Sequence, residues 1–223
     1  KLYTVMEDWF LTHDIKAGAA IALDVQSGAV RALVSYPGYD NNLFSGGIGG
    51  EAYAGLIGNP AKPLFNRAIA GEYPPGSTIK PVIAAAALSE RIITPETQIE
   101  SRGGISVGRF FFGDWKAHGL TDLRRAIAVS SDVYFYSLGG GYGGIAGLGM
   151  ERMKRYEEGF GYGAKTGIDL PGEADGFLPD PDWKKQKIGE RWYIGDDYHA
   201  AIGQGFVTAT PLQIVNAIAS VAN

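Results

Sequence analysis

Leu2, Val5, Met6, Trp9 and Phe10 recur at the spacing of one helical face, which predicts an amphipathic helix packed on the core and ending near Lys16-Ala17-Gly18. Two short apolar runs, 19–24 and 29–35, flank Val25-Gln26-Ser27-Gly28 and predict a β-hairpin. Residues 36–42 read as a loop, and the Gly-rich stretch 44–50 as a mobile one. Pro74-Pro75-Gly76 then breaks the chain ahead of Ser77-Thr78-Ile79-Lys80. The Ala-rich run after it predicts a buried helix of about three turns, with Pro81 in or just after its first turn, where a missing N–H costs little.

Residues 105–113 predict a short irregular hairpin, and 120–129 a helix opening at Thr121 or Asp122. Ser130-Ser131-Asp132 interrupts that helix before another apolar helical stretch begins at Val133. Residues 151–158 predict a charged helix stopped by Gly159, and 171–183 a loop. Thr210-Pro211-Leu212-Gln213 is a capping-box signal with Pro at the first helical position, followed by apolar Ile214, Val215, Ile218 and Val221.

A chain of 223 residues can bury one substantial core and a smaller subdomain. A net charge of -4 with no basic stripe argues against nucleic acid as a partner. The absence of Cys excludes disulfides and thiolate metal sites. His13, His118 and His199 lack ligand spacing, so neither metal nor cofactor is expected. No apolar run is long enough to span a membrane, and no signal peptide is visible. The chain opens on Lys1, which reads as a processed or partial chain and leaves membrane attachment open.

Ser77 and Lys80 lie one helical turn apart on the same face. A Ser hydroxyl is a poor nucleophile until a neighbour takes its proton. An amine can take it only when uncharged, a form that burial beside Ala and Ile favours. The helix N-terminus also offers backbone N–H groups to an oxyanion. This spacing arises by chance about once in a chain of this length, so it carries weight only with companions. Ser130 and Asp132 supply a second cluster: a hydroxyl able to relay a proton, and a carboxylate able to hold substrate or Lys80. A helix cap is the simpler role for that pair taken alone. Gly139-x-Gly141-x-x-Gly144 fits the dinucleotide fingerprint but follows a helix rather than a strand. Glu157-Glu158 and Lys184-Lys185 read as solvated faces, and Asp196-Asp197 as a loop cap.

Residues 73–80, Ser130-Ser131-Asp132, Ile202-Gly203-Gln204-Gly205 and Thr210–Gln213 together resemble the transpeptidase domain of class B penicillin-binding proteins. The resemblance covers nearly the whole chain, including 63–68 ahead of the nucleophile and 160–173 in the middle section. Asp132 in place of the usual Asn, with Asp114-Trp115, His118-Gly119 and Trp192, resembles the elongation-type branch that builds rod-shaped walls.

The resemblance implies an α/β fold of the β-lactamase/transpeptidase type, an antiparallel sheet flanked by helices plus a mainly helical subdomain. The sheet part is expected at 1–76 and 206–223 and the helical subdomain at 77–205. By the same resemblance Ser77 is the acylated nucleophile, Lys80 its base, Ser130 the proton relay and Asp132 a substrate-positioning group. The Ser77 N–H would be one oxyanion donor. The implied reaction cross-links peptidoglycan stem peptides, with β-lactam antibiotics acylating Ser77. The implied partners are a membrane glycan polymerase and elongation-complex proteins, and the implied location is the bacterial inner membrane, facing the periplasm. A serine β-lactamase and a non-catalytic sensor or scaffold are the rival readings.

Two departures from the family pattern stand out. Lys165-Thr166-Gly167 matches the third family motif in composition but precedes Gly203-Gln204-Gly205 and is followed by Pro171-Gly172, so it reads as a decoy. The true motif and further strands are expected beyond Asn223, and 1–223 alone is expected to be inactive. Asp132 also places a charge where an amide is usual, and is expected to pair with Lys80 and oppose its action as a base.

Overall fold

A computed structural model describes residues 1–223. The chain runs α1 (Leu2–Thr12), β1 (Gly18–Leu23), β2 (Val30–Tyr36), α2 (Gly50–Gly58), α3 (Arg67–Ala70) and α4 (Lys80–Ser89). Four short strands follow, β3 (Ile99–Ser101), β4 (Gly104–Val107), β5 (Phe110–Gly113) and β6 (Gly119–Thr121). Six helices complete it: α5 (Leu123–Ala128), α6 (Asp132–Gly140), α7 (Gly149–Gly159), α8 (Pro181–Lys187), α9 (Ile194–Ala201) and α10 (Pro211–Ala222). These elements form two units, one of 1–72, 165–174 and 210–223, the other of 73–164 and 175–209.

The first unit is built on the predicted hairpin. β1 and β2 pair antiparallel from Gly18↔Tyr36 to Leu23↔Val30, with a bulge between Ala22 and Leu23. Asp24 accepts hydrogen bonds from the N–H and hydroxyl of Ser27, and Gly28 takes φ +70°, so the turn residues supply the conformation the turn requires. The Arg31 guanidinium and these Ser27 bonds hold the exposed Asp24 carboxyl down at about 2. Alternation puts Ala19 and Ile21 on one face with Leu33, where they pack against Ala68, Ile69 and Leu212 of α3 and α10. The α10 start is the predicted capping box, Thr210 and Gln213 bonding each other's backbone N–H groups. α1 ends earlier than its pattern predicts, and it buries only Met6 while Trp9 is 59% exposed. α2 falls partly within the stretch expected to be loop, because its three Gly residues masked its helical period.

The second unit centres on α4, whose Val82, Ile83, Ala86 and Ala87 are fully buried. α6 lies beside α9, and the approach is close. A Cβ on Gly139 would stand 2.5 Å from Ala201 Cβ and 2.8 Å from the Asp197 carbonyl oxygen. Gly139 of that pattern therefore serves helix packing, and Gly141, with φ +83°, ends α6. β4 and β5 form the predicted hairpin, whereas β3 pairs with β6 across 17 intervening residues, Ile99 opposite Thr121. Leu120 and Thr121 thus belong to a strand, and of the two expected openings Asp122 is the cap of a helix running from Leu123. The loop expected over 171–183 likewise gives way to α8 at Pro181.

Two charged residues expected on solvated faces are buried. Lys184 is 4% exposed, ion-paired to Asp196 at 2.7 Å and surrounded by the rings of Trp192, Tyr193 and Phe206. Glu157 is fully buried on the same face of α7 as Met150 and Met153. No helix is long and apolar enough to cross a membrane.

Candidate active site

Two touching glycines fix the turn that presents Ser77. Gly76 has φ +57° and its N–H donates to the Gly203 carbonyl at 2.8 Å. Gly203 has φ +68°, and a Cβ there would lie 2.3 Å from the Gly76 carbonyl oxygen. Residues Gly76–Ile79 then form a 3₁₀ turn that continues into α4, with the Lys80 N–H donating to the Ser77 carbonyl. In a 3₁₀ turn the side chains at i and i+3 eclipse, so Ser77 and Lys80 stack more directly than in an α-helix. The predicted α-helical start is therefore a 3₁₀ start. Gly203→Ala should displace the Ser77 turn and destabilise the protein by about 2–3 kcal/mol, a loss that thermal melting would measure.

The second cluster lies between α5 and α6. Ser131 caps α6, its hydroxyl accepting from the Tyr134 N–H, and Asp132 opens the first turn. The cap expected of Ser130 and Asp132 is thus made by Ser131 instead, which leaves Ser130 free for another task. Ser130 takes φ +54°, a left-handed conformation that costs a non-Gly residue about 1–3 kcal/mol.

These elements bring the four sequence-predicted side chains together. The Lys80 amine donates to the Ser130 carbonyl at 2.9 Å, the Ser130 hydroxyl at 3.0 Å and Asp132 Oδ1 at 2.6 Å. The Ser130 and Ser77 hydroxyls are bonded at 2.9 Å. Each can rotate, so that bond can run in either direction. Lys80 reaches Ser77 through Ser130, and the three contacts occupy all three donors of an ammonium. Lys80 is only 1% exposed and lies over the Phe135 ring, whereas Ser77 is exposed. A buried amine is thus wired through one hydroxyl to another at the surface. The pairing of Asp132 with Lys80 expected from sequence is present.

Lys165-Thr166-Gly167 lies in the first unit and forms no strand. Glu173 accepts from the N–H and hydroxyl of Thr166 and from the Gly167 N–H, so this segment is closed on itself. Sequence reasoning noted Asp114 and Trp115 as branch markers but missed their contacts with the Ser130 loop. It also missed the backbone contact that makes Gly203 irreplaceable. Its left-flanking Ile202 and the run of Gly residues were the available signal.

A family model described as the penicillin binding protein transpeptidase domain matches residues 18–223. The peptidoglycan D,D-transpeptidase MrdA of Haemophilus influenzae is 42% identical over 210 residues, 92% of this chain and 31% of that protein. The chain thus spans about a third of that relative's length. Pseudomonas aeruginosa PBP2, solved in complex with WCK 5153, superposes with a TM-score of 0.86 at 38% identity, over 92% of this chain and 44% of that one. Helicobacter pylori PBP2, solved in complex with MreC, gives a TM-score of 0.83 at 37% identity, over 93% and 38% of the two chains. The fold is therefore the α/β transpeptidase fold, and the chain belongs to the penicillin-binding protein transpeptidase family, among relatives of the MrdA or PBP2 kind.

Proposed function

We propose that the protein carrying this chain is a peptidoglycan D,D-transpeptidase of the elongation type, with Ser77 as its nucleophile. The observation that carries this reading is the hydrogen-bonded path from the buried Lys80 amine through Ser130 to the exposed Ser77 hydroxyl. Ser77 Oγ attacks the carbonyl carbon between the two terminal D-Ala residues of a stem peptide. Its proton passes to Ser130, and the Ser130 proton to the uncharged Lys80 amine. The Ser77 N–H, at the start of the 3₁₀ turn, receives the developing oxyanion. On collapse, the proton returns through Ser130 to the leaving nitrogen, D-Ala departs, and an ester remains on Ser77. An amine of a neighbouring stem attacks that ester, reversing the path and freeing Ser77. A β-lactam follows the first half of this course, except that its leaving nitrogen stays tethered.

Asp132 pairs with Lys80 in the resting site and turns toward the substrate amide as the amine loses its proton. The MreC complex of H. pylori PBP2 supports elongation-complex proteins as partners here. Family resemblance supports a glycan polymerase partner and an inner-membrane, periplasm-facing location.

The test is a full-length preparation given a D-Ala-D-Ala stem peptide and a labelled amine acceptor. Release of D-Ala with matching incorporation of label, both lost in Ser77→Ala, is expected. Rapid turnover of nitrocefin without acceptor incorporation would assign a β-lactamase instead, and no reaction with either would assign a non-catalytic relative.

A further inference from the structure

Ser130 does not hold its left-handed conformation unaided. The residues on either side of it are gripped by one dipeptide in the loop between β5 and β6. On the upstream side the Trp115 indole N–H donates to the Val129 carbonyl at 3.1 Å. On the downstream side Asp114 Oδ2 accepts from the Ser131 hydroxyl at 2.9 Å and the Val133 N–H at 3.1 Å. The same oxygen accepts from the Ser101 hydroxyl at 3.1 Å, and Oδ1 accepts from the Trp115 N–H at 2.9 Å. His118 Nε2 stands 3.5 Å from Oδ1, and the Trp115 ring meets the His118 ring edge-on.

The dipeptide is itself anchored. The Asp114 N–H donates to the Gly103 carbonyl at 2.9 Å, and the Gly113 carbonyl accepts from the Tyr136 hydroxyl at 3.0 Å. Asp114 is fully buried as a side chain. Burial pushes its carboxyl up, but its hydrogen bonds with the Val133 and Asp132 backbone, Ser131 and Ser101 outweigh that and bring it below the usual range. It stays ionised, so both of its oxygens act only as acceptors.

We propose that Asp114 and Trp115 are positioning residues for the proton path, clamping Val129 and Ser131 so that the Ser130 hydroxyl stays within reach of both Lys80 and Ser77. This rests on the acyl-enzyme reading of Ser77. A left-handed Ser between two unclamped neighbours would relax, and its hydroxyl would swing away from the amine. Geometry errors of that size are costly to proton transfer while leaving substrate contacts in place.

Trp115→Phe is the sharper test, because at a residue 66% exposed it removes the indole N–H while keeping an aromatic ring beside His118 and disturbing little buried packing. Stopped-flow acylation of the full-length protein by a fluorescent penicillin separates the initial dissociation constant from the acylation rate constant. Trp115→Phe should lower the rate constant about five- to tenfold, in proportion to one side-chain hydrogen bond, with the dissociation constant and Tm unchanged. Asp114→Asn should lower it about a hundredfold, since it weakens several charge-assisted bonds. In a Ser130→Ala background, which has no hydroxyl to position, Trp115→Phe should change nothing further.

Parent-like acylation by Trp115→Phe would overturn the clamp alone, as would a loss that persists undiminished in Ser130→Ala. A raised dissociation constant with an intact rate constant would make Trp115 a substrate contact and equally overturn it. Failure of the parent itself to acylate would overturn the clamp together with the acyl-enzyme reading.

Discussion

Lys80→Met should lower the rate of penicillin acylation by at least about a thousandfold, the upper part of the range for losing a positioned general base. The Met side chain matches the stem of Lys in length and fills the same buried space beside Phe135, so packing is preserved while the amine is lost. A second consequence separates chemistry from structure. Asp132 Oδ1 lies 2.6 Å from the amine and its side chain is 20% exposed, so removing Lys80 strands a mostly buried carboxylate. Breaking such a pair costs about 3 kcal/mol, and Tm should fall accordingly. Adding Asp132→Asn removes the stranded charge and should restore most of the lost stability without restoring acylation. Stopped-flow kinetics and calorimetry on the single and double variants would check this. Recovery of both together would mean that Lys80 acts through folding alone.

The largest stability effect belongs to Glu157, far from that chemistry in role. It is fully buried on α7, and neither of its carboxyl oxygens, nor the buried Tyr162 hydroxyl, has a hydrogen-bond partner. Burial, aided by the charge of Glu158 and opposed by Lys154, pushes its carboxyl up to about 8 from an ordinary 4.5. The folded state therefore binds a proton more tightly than the unfolded state. Its contribution is fully present below about pH 4.5 and is lost as pH rises to about 8. At about 1.4 kcal/mol per pH unit, roughly 4–5 kcal/mol is lost across that window. Glu157→Gln keeps the shape but cannot ionise. The variant should lose far less stability than the parent between pH 5 and pH 8, and should exceed it by several kcal/mol at pH 8. Denaturant melts at both pH values would measure the difference, and parallel pH slopes would refute it.

Sequence legibility followed the range of the interactions. The Ser77 turn was readable because Pro74-Pro75-Gly76 and the Ala run are local signals whose backbone consequences are nearly fixed. The α10 start was readable for the same reason, since a capping box is complete within four residues. The hairpin of β1 and β2 needed only two short apolar runs and a turn between them. By contrast, β3 and β6 are three residues each and pair at a distance, too short for periodicity to register.

Charge misled in the opposite direction. Glu157 and Lys184 were read by residue type as solvated, yet Glu157 falls at i+7 and i+4 from Met150 and Met153, a spacing that already placed it on the buried face. Lys184 gave no such local clue, because its partner Asp196 lies on another helix. In the site itself, the four residues were identifiable by motif, but their mutual contacts span 50 to 53 positions and belong to the fold. The contact between Gly76 and Gly203 is of the same kind: two glycines whose need for each other appears only when the backbones meet.

In the proposed reaction the Ser77 hydroxyl, served by Ser130 and Lys80, forms the covalent intermediate. Peptide mapping by mass spectrometry of the full-length protein after penicillin treatment would locate that bond. The adduct mass should lie on the peptide containing Ser77, and fragmentation should place it on that hydroxyl. An adduct on another residue, or one that survives Ser77→Ala, would contradict it.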